Sequence, residues 1–280
     1  MNDTHTIDYG GLDEPRPADT HAGACRRFGG RNALLTGAAR GIGLASALRL
    51  AAEGAQVWIT DVDDEALDEA ARHAAACGLE VQTVAMNSLD AAQVASSLAG
   101  VLASAQHIDI LVNNAGGSLH TPYRFAEQSS ADWQRVMDLN LMGTVWACQA
   151  VLPSMVENRY GRIVNFGSKA GRFGSLIAGA NYAAAKGAIS ALGRQLAMEY
   201  GPHGITVNSI CPGVVMTERT RLLWSQRRTA EERERVLGEI PLRRHCQVDD
   251  VAASVAFLAS DDASFLTGVT LDLNGGQAMA

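Results

Sequence analysis

Cysteine is scarce and unpaired in this sequence of 280 residues. Its five cysteines are scattered, odd in number and never arranged as Cys-x-x-Cys, which is typical of a chain from a reducing compartment. The seven histidines form no His-x-x-x-His pair and no cluster with cysteine. Metal sites that are readable from sequence need such local spacing. We therefore predict no metal site.

Long apolar runs and clustered positive charge are also missing. No segment approaches the roughly 18–20 apolar residues that cross a bilayer, and the N-terminus lacks a basic start followed by an apolar stretch. The formal net charge is -7, and the body of the chain has no dense Lys/Arg cluster with which to bind a phosphate backbone. We predict a cytoplasmic protein that binds neither membranes nor nucleic acid.

The composition is that of one globular domain. Hydrophobic residues make up 47% of the chain and charged residues 19%, so the chain is neither disordered nor dominated by surface charge. Residues 1–29 are rich in Asp, Thr, Gly and Pro, which predicts a mobile N-terminal arm. Residues 30–280 are predicted to form the single domain, and residues 217–240 within it are predicted to form a lid.

Short apolar segments alternate with longer helical patterns after residue 30. The predicted strands are Ala33–Thr36, Gln56–Thr60, Val81–Ala85, Ile108–Asn113, Arg162–Phe166, Thr206–Ile210 and Thr270–Leu273. The helical windows lie near residues 42–53, 64–77, 90–104, 131–157, 181–200 and 249–259. This order predicts an α/β fold, Rossmann-like and doubly wound, with a seven-stranded parallel sheet and helices on both faces. Ligands of such sheets bind at the carboxyl ends of the strands.

A glycine loop follows the first predicted strand and opens the first helix. Gly37, Gly41 and Gly43 lie in it, together with Arg40 and Ile42. Free backbone N–H groups and the helix dipole at such a position can receive a pyrophosphate. The Gly-x-x-x-Gly-x-Gly spacing departs from the common Gly-x-Gly-x-x-Gly pattern. A turn that only packs strand against helix is the alternative.

Asp61 ends the second predicted strand, about 20 residues beyond the glycine loop, where a carboxylate can bind an adenosine ribose. Its charge would repel a 2′-phosphate, which favours NAD over NADP. Arg40 lies where a guanidinium could instead receive that phosphate. A helix N-cap, shared with Asp63 and Asp64, is the structural alternative for Asp61.

Tyr182 and Lys186 are four residues apart in Asn-Tyr-Ala-Ala-Ala-Lys, so one helical turn places both on one face. A tyrosine ordinarily has a pKa of about 10, and a nearby positive charge lowers it. Alone, the pair could be an ordinary exposed Tyr and Lys. Beside the glycine loop, it predicts an acid–base pair.

Taken together, these motifs resemble the short-chain dehydrogenase/reductase family, in its single-domain branch, over nearly all of residues 30–276. The matching motifs are Thr36–Gly43, Asn113–Gly116, Asn140 in Asp-Leu-Asn-Leu, Ser168, Tyr182 with Lys186, Pro212-Gly213 with Thr217, and Asn274-Gly275-Gly276. The resemblance implies an NAD(P)-dependent oxidoreductase that transfers a hydride between a nicotinamide cofactor and a secondary alcohol or ketone. Asp61 favours NAD as that cofactor.

The resemblance also implies four catalytic roles. Tyr182 would exchange a proton with the substrate oxygen, and Ser168 would hold that oxygen. Lys186 would bind the nicotinamide ribose and, with the positive charge of the oxidised ring, lower the pKa of the tyrosine. Asn140 would anchor a water molecule in a proton relay.

The remaining implied roles concern the cofactor. The predicted cofactor-binding residues are Gly37, Arg40, Gly41, Ile42, Gly43, Asp61, Asn87, Asn113, Ala115, Gly116, Tyr182, Lys186, Pro212, Gly213, Val215 and Thr217. Two departures from the family pattern stand out. Asn87 replaces the usual adenine-binding Asp, and Ser168 and Tyr182 are 14 residues apart, one more than is usual.

The substrate is predicted to be an alcohol or ketone with a hydrophobic body, because the segments expected to wall the pocket are mainly apolar. Lys169, Arg172, Arg219 or Arg221 could instead bind an anionic substrate. An NADPH-dependent 3-oxoacyl thioester ketoreductase is the enzymatic alternative. A catalytically silent dinucleotide-binding sensor or structural subunit is the non-enzymatic one. The resemblance further implies a homotetramer or homodimer.

Overall fold

The computed structural model describes residues 26–175, 178–227 and 229–279. Residues 1–25 of the predicted arm lie outside this part. The predicted end of the arm at residue 29 is wrong. Phe28 is only 1% exposed, and its N–H donates to the Glu53 carbonyl oxygen at 3.0 Å. Arg27 pairs with the Glu53 carboxylate at 2.6 Å. The fold therefore includes residues 27–29, and a single buried aromatic residue leaves no periodicity from which to predict this.

Seven parallel strands form the main sheet, and two short strands form a separate ladder. The strands are β1 Asn32–Thr36, β2 Gln56–Asp61, β3 Gln82–Ala85, β4 Ile110–Asn113, β5 Gly161–Phe166, β6 Ile205–Pro212, β7 Val215–Met216, β8 Cys246–Gln247 and β9 Thr270–Leu273. The sheet order is β3-β2-β1-β4-β5-β6-β9, and β7 pairs with β8. The doubly wound, seven-stranded parallel sheet is confirmed, and each predicted strand lies within two residues of the observed bounds.

Helices connect the strands and cover both faces of the sheet. They are α1 Gly41–Ala52, α2 Asp64–Ala76, α3 Ala91–Ala105, α4 Ser130–Met137, α5 Gly143–Asn158, α6 Lys169–Phe173, α7 Ala180–Tyr200, α8 Glu218–Arg227, α9 Ala230–Gly238 and α10 Val248–Ala259. The predicted window 131–157 is two α-helices joined by a π-helical turn, Asp138–Met142. The predicted lid contains α8 and α9, and its movement stays a prediction.

Acidic and hydroxyl side chains fix where several helices begin. Asp63 accepts a hydrogen bond from the Ala66 N–H at the start of α2, and Asp90 accepts two at the start of α3. Ser129 and Asp132 form a reciprocal capping box on α4. Such caps satisfy backbone donors that have no partner within the helix.

Two apolar clusters lie on opposite faces of the sheet. Leu34 and Leu35 are both fully buried, yet Leu34 packs in the cluster that includes α3 and α5 residues, whereas Leu35 packs in the cluster that includes α1, α2 and α10 residues. Successive side chains of a strand point to opposite faces, so a strand covered on both sides reads as a continuous apolar run. This explains why the predicted strands lack polar–apolar alternation.

The strand order reverses direction at β1, which pairs with β2 on one side and with β4 on the other. The carboxyl ends of β1, β2, β4, β5 and β6 therefore meet at one edge of the sheet. Crevices at such a switch point are where doubly wound folds bind their ligands.

One helical stretch, Ser130–Asn158, is long and apolar enough by length and composition alone to cross a membrane. In this fold it contains α4, the π-helical turn and α5, and α5 packs against α3 and the central strands β4 and β5. Core helices of globular domains have the same character, and the absence of membrane binding stays a prediction.

We predict that Leu111→Ala lowers the free energy of unfolding by about 2–5 kcal/mol, because it leaves a cavity beneath the centre of the sheet. Leu111 is fully buried in β4. The matched control is Leu242→Ala, whose side chain is 61% exposed and whose loss should cost under about 1 kcal/mol. Urea unfolding of both variants measures the difference, and equal losses would contradict the assigned core.

Candidate active site

The glycine loop between β1 and α1 has a shape that only glycine permits. Gly37 and Gly41 have φ angles of 59° and 57°, which side chains rarely adopt. A Cβ atom on Gly37 would lie 2.7 Å from the Cα atom of Ala115, and one on Gly43 would lie 2.6 Å from the Cα atom of Ala38. The backbone is thus exposed along a cradle that a side chain would fill.

The amino end of α1 is open to an anion. Among the described residues, the N-cap residue Arg40 makes no side-chain capping hydrogen bond, so the N–H groups of the first turn remain available to a phosphate. These features fit a pyrophosphate, as the sequence predicts for this loop.

Asn114, which sequence reasoning did not single out, ties the glycine loop to β4. Its Nδ2 atom donates to the carbonyl oxygens of Gly37 at 2.6 Å and of Thr36 at 3.2 Å. The Ala115 N–H donates to the Thr36 Oγ1 atom at 3.2 Å. The only signal in the sequence was its place within Asn113–Gly116.

Asp61 lies at the end of β2, beside the glycine loop. One carboxylate oxygen accepts the N–H groups of Val62 at 2.8 Å and Asp63 at 3.3 Å, and the other accepts the Ala39 N–H at 3.2 Å. Helix α2 is capped by Asp63, not by Asp61. The Arg40 guanidinium pairs with the Asp63 carboxylate at 2.9 Å, so the predicted phosphate-binding cation already has an anionic partner.

Two predicted adenosine-side residues use their side chains within the protein. The Asn87 Oδ1 atom accepts the Leu89 N–H at 3.0 Å. Asn113 is buried, and its Nδ2 atom donates to the Asn165 Oδ1 atom at 2.8 Å and to the Cys148 Sγ atom at 3.4 Å. Any contact of Asn113 with a cofactor would therefore use its main chain.

A cavity of about 410 Å³ opens beside these loops. Its lining residues are Ile42, Asn114, Gly116, Phe166, Gly167, Ser168, Tyr182, Lys186, Pro212, Gly213, Val214, Val215, Thr217 and Thr220. The predicted residues that do not line it are Gly37, Arg40, Gly41, Gly43, Asp61, Asn87, Asn113, Ala115 and Asn140. The cavity is lined on one side by the helix α7 face that carries Tyr182 and Lys186. The rest of its lining comes from the amino end of α1, the carboxyl ends of β4 and β5, and the β6–β7 turn.

Ser168 and Tyr182 both line the cavity. Ser168 is also the N-cap of α6, where its Oγ atom accepts the Ala170 N–H at 3.2 Å. Burial raises the pKa of the Tyr182 phenol, and the Ser168 hydrogen bond partly opposes this effect. The hydroxyl and the phenol together can hold an oxygen atom and exchange a proton with it.

The Lys186 ammonium is buried in the wall of the cavity. Its Nζ atom donates to the Phe166 carbonyl oxygen at 2.7 Å. Burial lowers the pKa of Lys186 to about 8, with a smaller opposing effect from Cys211. A Cβ atom on Gly116 would lie 2.9 Å from Nζ, so the glycine makes room for the lysine.

Within the protein alone, Lys186 does not lower the pKa of Tyr182 as the sequence led us to expect. Its Nζ atom is 6.0 Å from the centroid of the Tyr182 ring. Burial has the largest effect on the tyrosine instead, and it raises the pKa. A lowering that depends on the charge of an oxidised nicotinamide stays a prediction.

Asn140 lies fully buried in the π-helical turn. Its Nδ2 atom donates to the carbonyl oxygens of Gly117 at 2.9 Å and Val136 at 2.8 Å, and its Oδ1 atom accepts the Gly117 N–H at 2.9 Å. The side chain thus anchors the loop after β4. Its predicted role in holding a water molecule stays a prediction.

The basic residues considered for anion binding have other partners or lie outside the cavity lining. Arg172 pairs with Asp272 at 2.8 Å, and Arg221 donates to the Gln247 Oε1 atom at 2.5 Å. Lys169 is half-buried and does not line the cavity. The Arg219 side chain lies outside the described part of the structure.

Metal ligands are not grouped in the described ranges, where no three His, Cys, Asp or Glu side chains come close enough to hold an ion.

Known proteins resemble this chain over most of its length. A family profile described as "Enoyl-(Acyl carrier protein) reductase" matches residues 37–278. The 3-oxoacyl-[acyl-carrier-protein] reductase FabG of Salmonella typhimurium is 37% identical over 252 residues, which is 90% of this chain and 99% of that protein. The structure of a short-chain type dehydrogenase/reductase from Mycobacterium ulcerans has a TM-score of 0.83 at 30% identity, over 89% of this chain and 90% of that one.

This chain belongs to the short-chain dehydrogenase/reductase family. The resemblance predicted from the motifs is thereby confirmed, as is the nicotinamide-dependent oxidoreductase class. A second solved family structure, that of NAD⁺-bound xylitol dehydrogenase, has a TM-score of 0.80 at 34% identity, over 89% of this chain and 99% of that one.

We predict that Lys186 makes stability depend on pH above about 8. Its folded pKa, about 8, lies below the ordinary 10.5, so between these values the unfolded chain binds a proton that the folded chain has lost. The free energy of unfolding of the wild type should therefore rise with pH across this window relative to Lys186→Met, by a few kcal/mol. Urea unfolding of both proteins from about pH 7 to pH 10 measures this. A difference that is constant with pH would contradict the buried titration.

Proposed function

We propose that the protein is an NAD-preferring dehydrogenase that interconverts a secondary alcohol and its ketone. The observation that carries the proposal is the convergence of Ser168, Tyr182 and Lys186 on one cavity beside the glycine loop. A dinucleotide-binding protein without catalytic activity would not require a hydroxyl, a phenol and a buried ammonium at that position.

In the proposed reaction Tyr182 transfers the proton and Ser168 holds the substrate oxygen. During oxidation the phenolate takes the hydroxyl proton of the alcohol, and during reduction the phenol returns a proton to the carbonyl oxygen. A bound nicotinamide would accept or supply the hydride, and its oxidised form would carry a positive charge. Because burial raises the pKa of Tyr182, alcohol oxidation should accelerate as the pH rises.

The residues that would hold the cofactor extend from the glycine loop to the β6–β7 turn. Gly37, Gly41 and Gly43 would bring the backbone to the pyrophosphate. Asp61 would bind the adenosine ribose, and Lys186 would bind the nicotinamide ribose. The proposed residues on the far side are Pro212, Gly213, Val215 and Thr217, all of which line the cavity.

The preference for NAD is supported by the charges around the ribose position. Asp61 presents a carboxylate there, and Asp63 pairs with the Arg40 cation that could otherwise bind a 2′-phosphate. The Asp61 carboxylate would repel the 2′-phosphate of NADP, and Arg40 is already paired with Asp63, so both features disfavour NADP. The structural relative solved with NAD⁺ bound supports the same choice.

An NADPH-dependent 3-oxoacyl thioester reductase is the second candidate. It is favoured by the name of the bacterial relative, which is a 3-oxoacyl-[acyl-carrier-protein] reductase. The same Ser168–Tyr182 pair would then donate a proton to the oxygen of a keto group. Cofactor preference separates the two candidates.

The proposed substrate is uncharged and partly apolar. Val214 and Val215 line the cavity, whereas Arg172 and Arg221 bind other protein groups. Apolar walls with a few polar groups are typical of sites for small organic ligands.

Self-association and a cytoplasmic location complete the proposal. An apolar groove of about 450 Å³ runs between α5 and α7, lined in part by Leu152, Val156, Leu192 and Leu196. Such a surface would be covered in a symmetric homodimer or homotetramer.

We predict that Tyr182→Phe lowers kcat for NAD reduction by secondary alcohols such as cyclohexanol and 2-octanol about 10²–10⁴-fold, because the proton acceptor is lost. NAD affinity should fall by at most about tenfold, since one lost hydroxyl removes a hydrogen bond of about 0.5–1.5 kcal/mol. The matched control is Tyr160→Phe, which removes a hydroxyl next to the amino end of β5, at the opposite edge of the sheet. A wild type that binds NAD but turns over no alcohol or ketone would favour the non-catalytic alternative.

We predict that Asp61→Ala lowers kcat/KM with NAD about tenfold, because the adenosine ribose loses its hydrogen-bond acceptor. The ratio of kcat/KM with NADP to kcat/KM with NAD should rise, because the carboxylate no longer repels the 2′-phosphate. Asp63→Asn should raise kcat/KM with NADP up to about fivefold, since a surface ion pair of this kind contributes at most about 1 kcal/mol. Asn also caps helices well, so α2 should persist.

Asp64→Asn, a neighbouring exposed change of the same charge, is the control for general electrostatics. A wild type that uses only NADPH would contradict the NAD proposal and favour the thioester reductase.

A further inference from the structure

The loop after β4 is anchored at both ends by buried side chains. At its start, Asn140 makes two hydrogen bonds to the backbone of Gly117. Four residues later, the Thr121 Oγ1 atom accepts a hydrogen bond from the Nδ2 atom of Asn181 at 3.2 Å. Asn140 lies in the π-helical turn and Asn181 in the first turn of α7, so both ends are held against the elements that build the active site.

Between the anchors the backbone adopts a conformation that its residues do not favour. The Thr121 N–H donates to the Ser118 carbonyl oxygen at 3.0 Å, and the two residues inside this turn, Leu119 and His120, have φ angles of 51° and 58°. A turn with two positive φ angles normally contains Asn or Gly. Leucine and histidine there require stabilisation from outside the turn.

Gln128 supplies part of that stabilisation. Its Nε2 atom donates to the Pro122 carbonyl oxygen at 2.7 Å and to the Asn181 Oδ1 atom at 3.2 Å. Its Oε1 atom accepts the Asn181 N–H at 3.3 Å. Both ends of one amide are therefore used to join the loop to α7. Gly179 makes space for this contact, since a Cβ atom there would lie 2.3 Å from Nε2.

Asn181 extends the connection to the catalytic tyrosine. It is fully buried, and its Oδ1 atom accepts the Tyr182 N–H at 2.8 Å. Its Nδ2 atom also approaches the Asp132 carbonyl oxygen of α4 at 3.5 Å. One side chain thus touches the loop, α4, Gln128 and the backbone of Tyr182.

We propose that Gln128 is a positioning residue that sets substrate affinity. Through Asn181 it holds the loop of residues 117–122, which directly follows the cavity-lining Gly116, in a fixed position relative to Tyr182. The affinity part of this inference rests on the proposed dehydrogenase function. The anchoring part does not.

Only an amide of this length meets the geometry. A leucine has similar bulk but no donor or acceptor, and it would leave the Asn181 side chain and the Pro122 carbonyl without their Gln128 partner. A glutamate can accept from the Asn181 N–H, but when ionised it cannot donate to Pro122 or to the Asn181 Oδ1 atom. Gln128→Leu should therefore free the loop, and Gln128→Glu should free it in part.

The test compares Gln128→Leu with Gln134→Leu. Gln134 also donates a side-chain hydrogen bond, to Asp138 at 2.7 Å, but it is exposed on α4. Gln128→Leu should raise KM for cyclohexanol or 2-octanol about tenfold, the effect of losing roughly one net buried hydrogen bond. The dissociation constant of NAD should not change, and Gln134→Leu should resemble the wild type in both quantities.

Hydrogen–deuterium exchange provides a readout that needs no turnover. Peptides covering residues 117–124 should exchange about tenfold faster in Gln128→Leu than in Gln134→Leu. If no alcohol is turned over by the wild type, the proposed dehydrogenase fails, and exchange still decides whether Gln128 anchors the loop. Unchanged exchange, or a KM that shifts equally in both variants, would overturn the inference. Gln128→Glu serves in the same comparison if Gln128→Leu does not fold.

Discussion

The site depends on the close approach of two backbone segments at the carboxyl ends of β1 and β4. Gly37 has no side chain, which lets Ala115 lie against it, and Asn114 binds the two carbonyl groups across the gap. Parallel pairing of β1 with β4 sets the distance between the strands, but the missing Cβ atom lets their ends converge. This contact positions the open amino end of α1 and the segment that carries Gly116. The Lys186 ammonium lies close to Gly116.

Much of this arrangement could be predicted from the sequence, because periodicity and spacing act locally. The apolar runs gave all seven strands of the sheet, and the four-residue spacing placed Tyr182 and Lys186 together on α7. Asn114, Gln128 and the π-helical turn around Asn140 were not predicted. Their roles depend on which distant segments meet, and a polar residue in a loop gives no indication of its partner. The same applies to Phe28, whose burial depends on tertiary packing alone.

The direction of the Tyr182 pKa illustrates a different limit. The spacing correctly places Lys186 on the same helix face as Tyr182. Burial has the larger effect on the pKa of the Tyr182 phenol, and burial depends on the whole fold. The lysine is buried too, and burial lowers its pKa to about 8. A sequence shows which groups are neighbours, whereas their ionisation depends on how much water the surrounding structure excludes.

The burial of Lys186 also bears on which molecules can enter the cavity. Near neutral pH a lysine with a pKa of about 8 is mostly protonated. Among the described residues its hydrogen-bond partner is the uncharged Phe166 carbonyl, and no carboxylate pairs with it. The cavity wall therefore carries a positive charge that no carboxylate of the described residues pairs with. Such a charge attracts the lone pairs of a hydroxyl or carbonyl oxygen placed beside it, whereas it repels another cation.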